Sequence, residues 1–326
     1  MSSRPISTTA LRIHQLVGLT PGPRLIVLGA VHGNETCGTK AIRRILEELD
    51  QGNLVIKRGT LTLVPVTNPL AFQLARRQGD RNLNRNLRVT PAPLDYEDQV
   101  ANLLCPLLQA HDVLLDLHSF HTPGQPFVML GPENNIGDLE PFGRANEELR
   151  LVRHLGPVRV VEGWMETYAR GVERRRLQGR AATPGLLDAQ YGVGTSEYIR
   201  AHGGYGVTLE CGQHDDQAAP DVAYHAIRQA IALLNLADVA LEKPNESFEV
   251  LRLCDVIDRE HEDDEFTRPW SSFDHVGAGD VIGKRADGRA VIAPSDGFVV
   301  FPNPSALVGN EWFYFAQRSG RNASVA

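Results

Sequence analysis

The chain has 326 residues, 42% of them apolar and 22% charged, with 40 acidic against 33 basic side chains and a formal charge of -7. That length supports a sizeable core and more than one compact unit. The acidic balance excludes an overall positive field able to hold nucleic acid or an anionic membrane, so a small-molecule or peptide substrate is the expected partner.

From residue 24 to about 240 short apolar runs alternate with amphipathic stretches, the pattern of an α/β domain with a largely parallel sheet. Residues 25–30 (LIVLGA) predict a buried strand running into Val31-His32-Gly33-Asn34-Glu35, and a helical pattern follows until Gly52 stops it. A second strand is expected at 61–66, a helix at 97–110, and a short buried strand at 113–117 ending at His118. Further along, a strand is expected at 127–130, a helix at 139–155, an extended run at 158–161, a short helix at 196–201, a strand at 205–209 and a long amphipathic helix at 220–239. Several polar residues fall at strand ends, where open α/β sheets bind ligands.

Composition changes after Lys243-Pro244-Asn245, a linker that divides a domain of residues 1–243 from one of residues 244–326. Short alternating runs at 248–253, 290–292, 298–301 and 312–316, broken by Gly, Pro and Asp, predict a small all-β C-terminal domain. The acidic run at 260–265 lacks calcium-loop spacing and reads as a solvated loop. Residues 1–11 hold no apolar stretch of signal length, and no later run approaches a membrane span. Cys37, Cys105, Cys211 and Cys254 are too scattered for a disulfide framework or a paired-cysteine zinc site. They are read as reduced, the protein as cytoplasmic, and the Asn322-Ala323-Ser324 sequon as lacking secretory context.

His32 and Glu35 lie three apart at a strand-to-helix junction of small residues, where the chain can turn sharply enough to aim both at one point. Imidazole with carboxylate favours zinc over calcium or magnesium, and a catalytic site needs a third protein ligand. His118 ends an apolar strand and follows Asp116, a carboxylate suited to orient it, with His121 a rival ligand ranked below it. Glu210 follows Val207-Thr208-Leu209, and a carboxylate there suits the general base that water at a catalytic metal still requires, with an arginine ion pair as the plain alternative. Arg77, Asn84 and Arg85 lie in a loop rich in planar donors for carboxylates and for a developing oxyanion.

In order along the chain, Gly29-Ala30-Val31-His32-Gly33-Asn34-Glu35, Leu83-Asn84-Arg85, Asp116-Leu117-His118-Ser119 and Val207-Thr208-Leu209-Glu210-Cys211-Gly212 resemble motifs of the succinylglutamate desuccinylase and aspartoacylase family, within the zinc carboxypeptidase clan. The resemblance implies a zinc-carboxypeptidase-like mixed, mostly parallel sheet flanked by helices. It implies one zinc per chain on His32, Glu35 and His118, and Glu210 as general base and acid. By the same resemblance Arg77 polarises the scissile carbonyl, while Asn84, Arg85 and, ten residues before Glu210, Arg200 contact the substrate, with Glu197 as an alternative supporting group. Two departures point away from the family's acidic substrates: Asn82 stands where an aspartate is usual, and residues 302–308 lack the tyrosine that aspartoacylases bring from the second domain. The second domain resembles the barrel-sandwich modules that carry biotin or lipoate, without a modifiable lysine, and its expected task is to wall the cleft.

The implied activity is hydrolysis of the amide bond of a small, carboxylate-bearing N-acyl amino acid or related compound. A carboxypeptidase for short peptides and a metal-free binding protein on the same fold are the competing readings, and a homo-oligomer is compatible with all three.

Overall fold

The computed structural model describes residues 8–179 and 187–321; the sequon at Asn322 lies outside them. The strands are β1 (His14–Val17), β2 (Thr20–Gly29), β3 (Arg58–Val64), β4 (Val113–Phe120), β5 (Phe127–Met129), β6 (Arg159–Glu162), β7 (Tyr205–Gln213), β8 (Glu249–Asp258), β9 (Glu265–Phe266), β10 (Asp274–Val276), β11 (Val281–Lys284), β12 (Ala290–Ile292), β13 (Gly297–Val300) and β14 (Glu311–Arg318). The helices are α1 (Cys37–Asp50), α2 (Pro69–Gln73), α3 (Tyr96–Gln109), α4 (Ala145–Val152), α5 (Trp164–Leu177), α6 (Thr195–Ala201) and α7 (Ala219–Leu233).

One sheet of eleven strands runs in the order β1-β3-β2-β4-β7-β5-β6-β8-β14-β13-β10. Its centre is parallel through β3, β2, β4 and β7, as the apolar runs predict; β5 enters antiparallel to β7, and β6 is parallel to β5 and β8. Both faces are covered, so β4 is buried at every position. Alternation sorts the side chains into two layers. Leu25 and Val27 pack with Ile42 and Ile45 of α1 and Ile227 and Ile231 of α7, while Ile26 and Leu28 pack with Leu104 and Leu108 of α3 and Ile199 of α6. Local signals start the helices: Asn68 accepts from the Ala71 N–H with Pro69 in the first turn of α2, and Asp95 accepts from the Asp98 N–H at α3.

The C-terminal strands are β-rich as expected, but β8, β14, β13 and β10 extend the main sheet antiparallel to one another, and only β12, β11 and β9 form a separate small sheet. The helix expected over 139–155 is confined to α4, because Pro141 and Gly143 precede its start. The helix α5 has no counterpart in the sequence reading; its charged second half masks the apolar periodicity, and Arg175 is buried there by a two-pronged pair with Asp258. In the acidic run, Asp264 is buried and receives the Arg285 guanidinium and the backbone N–H groups of Glu260 and Ala286, so this loop is anchored at its centre. No helix among the described residues is long and apolar enough to cross a membrane.

Candidate metal centre and substrate cleft

The backbone at the end of β2 turns through Ala30, whose φ of 47° is unusual for a side-chain-bearing residue. Gly33 follows, and a Cβ there would come within 2.0 Å of the Ala71 carbonyl carbon, so α2 can approach only a glycine. This junction turns His32 and Glu35 toward β4. His32 Nδ1 lies 2.8 Å from Glu35 Oε1, and His118 Nδ1 lies 2.9 Å from Glu35 Oε2. The imidazole centroids are 4.8 Å apart, and one ligand atom from each of the three residues falls within 4.8 Å of the others. All three are buried.

Behind each ring stands an oxygen. His32 Nε2 is 2.9 Å from Asn82 Oδ1, and His118 Nε2 is 2.9 Å from Asp116 Oδ2. Asp116 in turn accepts from Thr195 Oγ1 at 2.5 Å. Such backing fixes ring orientation in metal sites, leaving both Nδ1 atoms free to face a common point. Two nitrogens and a carboxylate, buried and convergent, fit a divalent cation of the zinc type. Asn82 therefore serves the His32 ring; it does not line the cleft, and its lost charge says little about substrate.

Electrostatics support the same use. Burial first, then the Arg77 charge, lowers His32 to about 4. Burial works against Glu35 ionising, but the two imidazoles outweigh it and hold the carboxyl well below its ordinary range. Burial likewise opposes a charged His118, yet Asp116 and Glu35 prevail and raise it well above an ordinary imidazole. Without a cation, a proton on His118 holds these carboxylates together.

Glu210 stands opposite His118 in the parallel β4–β7 register. The strand continues to Gln213, so Glu210 lies within β7 rather than at its end. Its Oε2 has no hydrogen-bond partner among the described residues, and burial, opposed by His118 and reinforced by Glu35, pushes the carboxyl up to about 8. A buried carboxyl that holds a proton near neutral pH beside two imidazoles has the character of a proton-transfer group.

The loop carrying the remaining candidates is organised by Glu97, fully buried, which accepts from the N–H groups of Gly79, Asp80 and Arg81. Arg77, half-exposed, donates from Nη1 to Glu35 Oε1 at 2.9 Å. Asn84 accepts from the Thr195 N–H through Oδ1, and Arg85 lies with its guanidinium carbon 4.6 Å from the centre of the Trp164 ring. His32, Arg77, Asn84, Arg85, His118 and Glu210 all line one cleft.

Arg200 does not. It is 5% exposed, with its guanidinium held by Glu148, Glu140 and Glu197 and by the Gly206 carbonyl. This group ties α6 to α4 and β7 and leaves no donor for a substrate. Removing one partner of such a buried network strands its charges; Arg200→Met is expected to lower stability by about 3–5 kcal/mol in urea unfolding. A variant of unchanged stability with a raised KM would restore the substrate-binding role. His121 lines the cleft but is 3.0 Å from the Pro302 carbonyl through Nε2 and lies outside the ligand cluster.

Other cleft residues had no signal in the motifs. Trp164 comes from α5, Phe301 from the end of β13, Glu311 and Tyr314 from β14, and His214 sits 2.9 Å from Ser119 Oγ through Nδ1. Beyond the 302–308 stretch, Tyr314 lines the cleft; its hydroxyl is buried, has no hydrogen-bond partner among the described residues, and is raised well above its ordinary value by burial. An acidic residue followed three positions later by a tyrosine, inside an apolar strand, was the available clue.

The fold and site together are a mixed sheet with a buried His–Glu–His cluster at one edge of its strands. Residues 21–123 match the model of the succinylglutamate desuccinylase/aspartoacylase catalytic domain. The N-acyl-aromatic-L-amino acid amidohydrolase (carboxylate-forming) of Rattus norvegicus is 37% identical over 109 residues, 29% of this chain and 33% of the rat protein. A probable aspartoacylase of Trichodesmium erythraeum is 30% identical over 105 residues, 29% of this chain and 35% of that protein. The chain thus aligns with only about a third of the length of these curated relatives. Among solved structures, the ectoine utilization protein EutE (DoeB) from Ruegeria pomeroyi superposes with a TM-score of 0.70 at 18% identity, covering 94% of this chain and 88% of that one. The succinylglutamate desuccinylase/aspartoacylase from Rhodobacter sphaeroides gives 0.69 at 15% identity, covering 95% and 90%. At these identities the likeness is one of fold.

Proposed function

We propose that the protein is a zinc-dependent hydrolase of the amide bond in small N-acyl amino acids, releasing a carboxylate and an amine. The observation that carries this reading is the convergence of His32, Glu35 and His118 on one point with Glu210 in register beside them. The names of the relatives, amidohydrolase and aspartoacylase, favour a deacylase over a carboxypeptidase. A zinc ion bound by the three residues supplies a Lewis acid for the carbonyl and makes the attacking water more acidic.

The chain's own groups do the rest. Glu210 accepts a proton from the attacking water and delivers it to the departing nitrogen, so that water's hydroxyl ends on the acyl carbon and its proton on the amine. Arg77, at the cleft mouth, donates to the carbonyl oxygen as it gains charge. Asn84 and Arg85 hold the carboxylate of the amino acid. Residues 1–243 carry the chemistry, and residues 244–326 wall the cleft through Phe301, Glu311 and Tyr314. We place the protein in the cytoplasm, in keeping with four unpaired cysteines.

The test is a panel of N-acetyl amino acids and unblocked dipeptides assayed on zinc-loaded protein, with a chelator control. Chelator-sensitive turnover of the N-acetyl compounds is expected. Turnover of dipeptides alone would make it a carboxypeptidase, and no metal uptake with no turnover would make it a binding protein.

A further inference from the structure

The charges lining the cleft fall into two neighbourhoods. Around Glu210 stand His118 and Arg77, with Glu35 and Asp116 behind the lining; around Arg85 stand Glu311 and Glu197 with the phenol of Tyr314, and that of Tyr168 behind the lining. The first group is accounted for by the proposed chemistry, the second only by Arg85.

The Arg85 guanidinium makes one hydrogen bond, from Nη1 to the Asn84 carbonyl, and no ion pair within 4.0 Å among the described residues. Its flat face rests on Trp164, so its edge is presented to the cleft. Glu311, half-buried, lines the same cleft and likewise has no hydrogen bond or ion pair among the described residues. The two attract without touching. Glu197 is held by the Gly194 N–H and by Arg200. Among the described residues no other arginine or lysine serves this end: Arg77 is on Glu35, Arg200 is enclosed by carboxylates, no lysine lines the cleft, and its further imidazoles His121 and His214 are engaged by the Pro302 carbonyl and Ser119. The apolar walls of the cleft are Phe120, Met129, Trp164 and Phe301, with Thr208 and Asn303 among its neutral polar ones.

We infer that Glu311 sets the charge of the substrate: this end of the cleft accepts one carboxylate, on Arg85, and rejects an amino acid that brings a second. The inference rests on the proposed deacylase reading. A bound monocarboxylate leaves Arg85, Glu311 and the substrate anion alternating in sign. A second anionic group would lie near Glu311 with no cation to offset it. Two like charges about 5 Å apart in a half-buried cleft disfavour binding roughly tenfold or more. An apolar side chain meets only the aromatic and methionine walls. Thus discrimination against acidic substrates, which neither Asn82 nor the absence of a tyrosine at 302–308 explains, comes from a carboxylate on β14.

The experiment measures kcat/KM for N-acetyl-leucine and N-acetylaspartate on the zinc-loaded wild type, Glu311→Gln and Glu311→Asp. The wild type is expected to favour N-acetyl-leucine at least tenfold. Glu311→Gln narrows that ratio roughly tenfold, mainly through KM for the acidic compound, and Glu311→Asp, which keeps the charge, retains the wild-type ratio. A wild type that prefers N-acetylaspartate, or a ratio unmoved in Glu311→Gln, overturns the inference while leaving the deacylase reading intact. Turnover of neither compound by the wild type sinks that reading and the inference with it. The wild-type ratio needs no variant, so a Glu311→Gln protein that fails to fold still leaves a decisive measurement.

Discussion

Glu210→Gln is expected to bind metal as the parent does and to lose at least a hundredfold in kcat. The amide keeps the shape of the carboxyl and its place opposite His118 but cannot accept a proton from water. Because burial already holds this carboxyl near 8, the exchange removes little charge from the apo site and should cost the fold little. Metal analysis and single-turnover kinetics on the same preparation separate the two effects. Turnover within tenfold of the parent would remove Glu210 from the chemistry.

Loss of the metal is the second large effect. His118→Ala takes away a ligand and strands the buried Asp116 carboxylate without its imidazole, while Glu35 keeps His32 and Arg77 but loses one of its two imidazoles. Activity and stoichiometric metal binding should disappear together, with a lower Tm even before metal is added. In the parent, stripping by a chelator should abolish turnover and zinc should restore it. Uptake should also release protons. His118 in the apo site sits well above its ordinary value, so the incoming cation displaces a proton there, and apparent affinity climbs with pH by about tenfold per unit for each proton released. Calorimetry in buffers of different ionisation enthalpy reads that number directly. Uptake with no proton release would mean that the ion sits elsewhere.

Much of this was legible in the sequence for identifiable reasons. The strands β2, β4 and β7 are buried on both faces, so each is a continuous apolar run, and a histidine or glutamate interrupting such a run is conspicuous. Order along the chain then carried the resemblance to the family whose catalytic-domain model matches residues 21–123. What stayed hidden has a physical cause in each case. Asp116 beside His118 was readable, but the partner of His32, Asn82, lies far away in sequence, and nothing in a loop of alternating arginine and asparagine says which of them turns inward. Arg200 looked like a substrate contact because spacing from Glu210 reports distance along the chain, whereas its direction is set by Glu148 and Glu140 on another segment. Glu311 and Tyr314 read as ordinary members of a β strand, since which face of β14 meets the cleft depends on its pairing with β8.

That pairing has a consequence for anyone who would shorten the protein. The strand β6 hydrogen-bonds to β5 on one side and to β8 on the other, in parallel, and β8 begins only after the Lys243–Asn245 link. A fragment ending at residue 243 would keep every proposed metal ligand and Glu210, yet it would present β6 as a bare rim of unmet amide and carbonyl groups. Such a rim invites neighbouring molecules to add themselves strand by strand. The truncated chain should therefore cluster in solution, and the seam seen in the sequence is a poor place to cut.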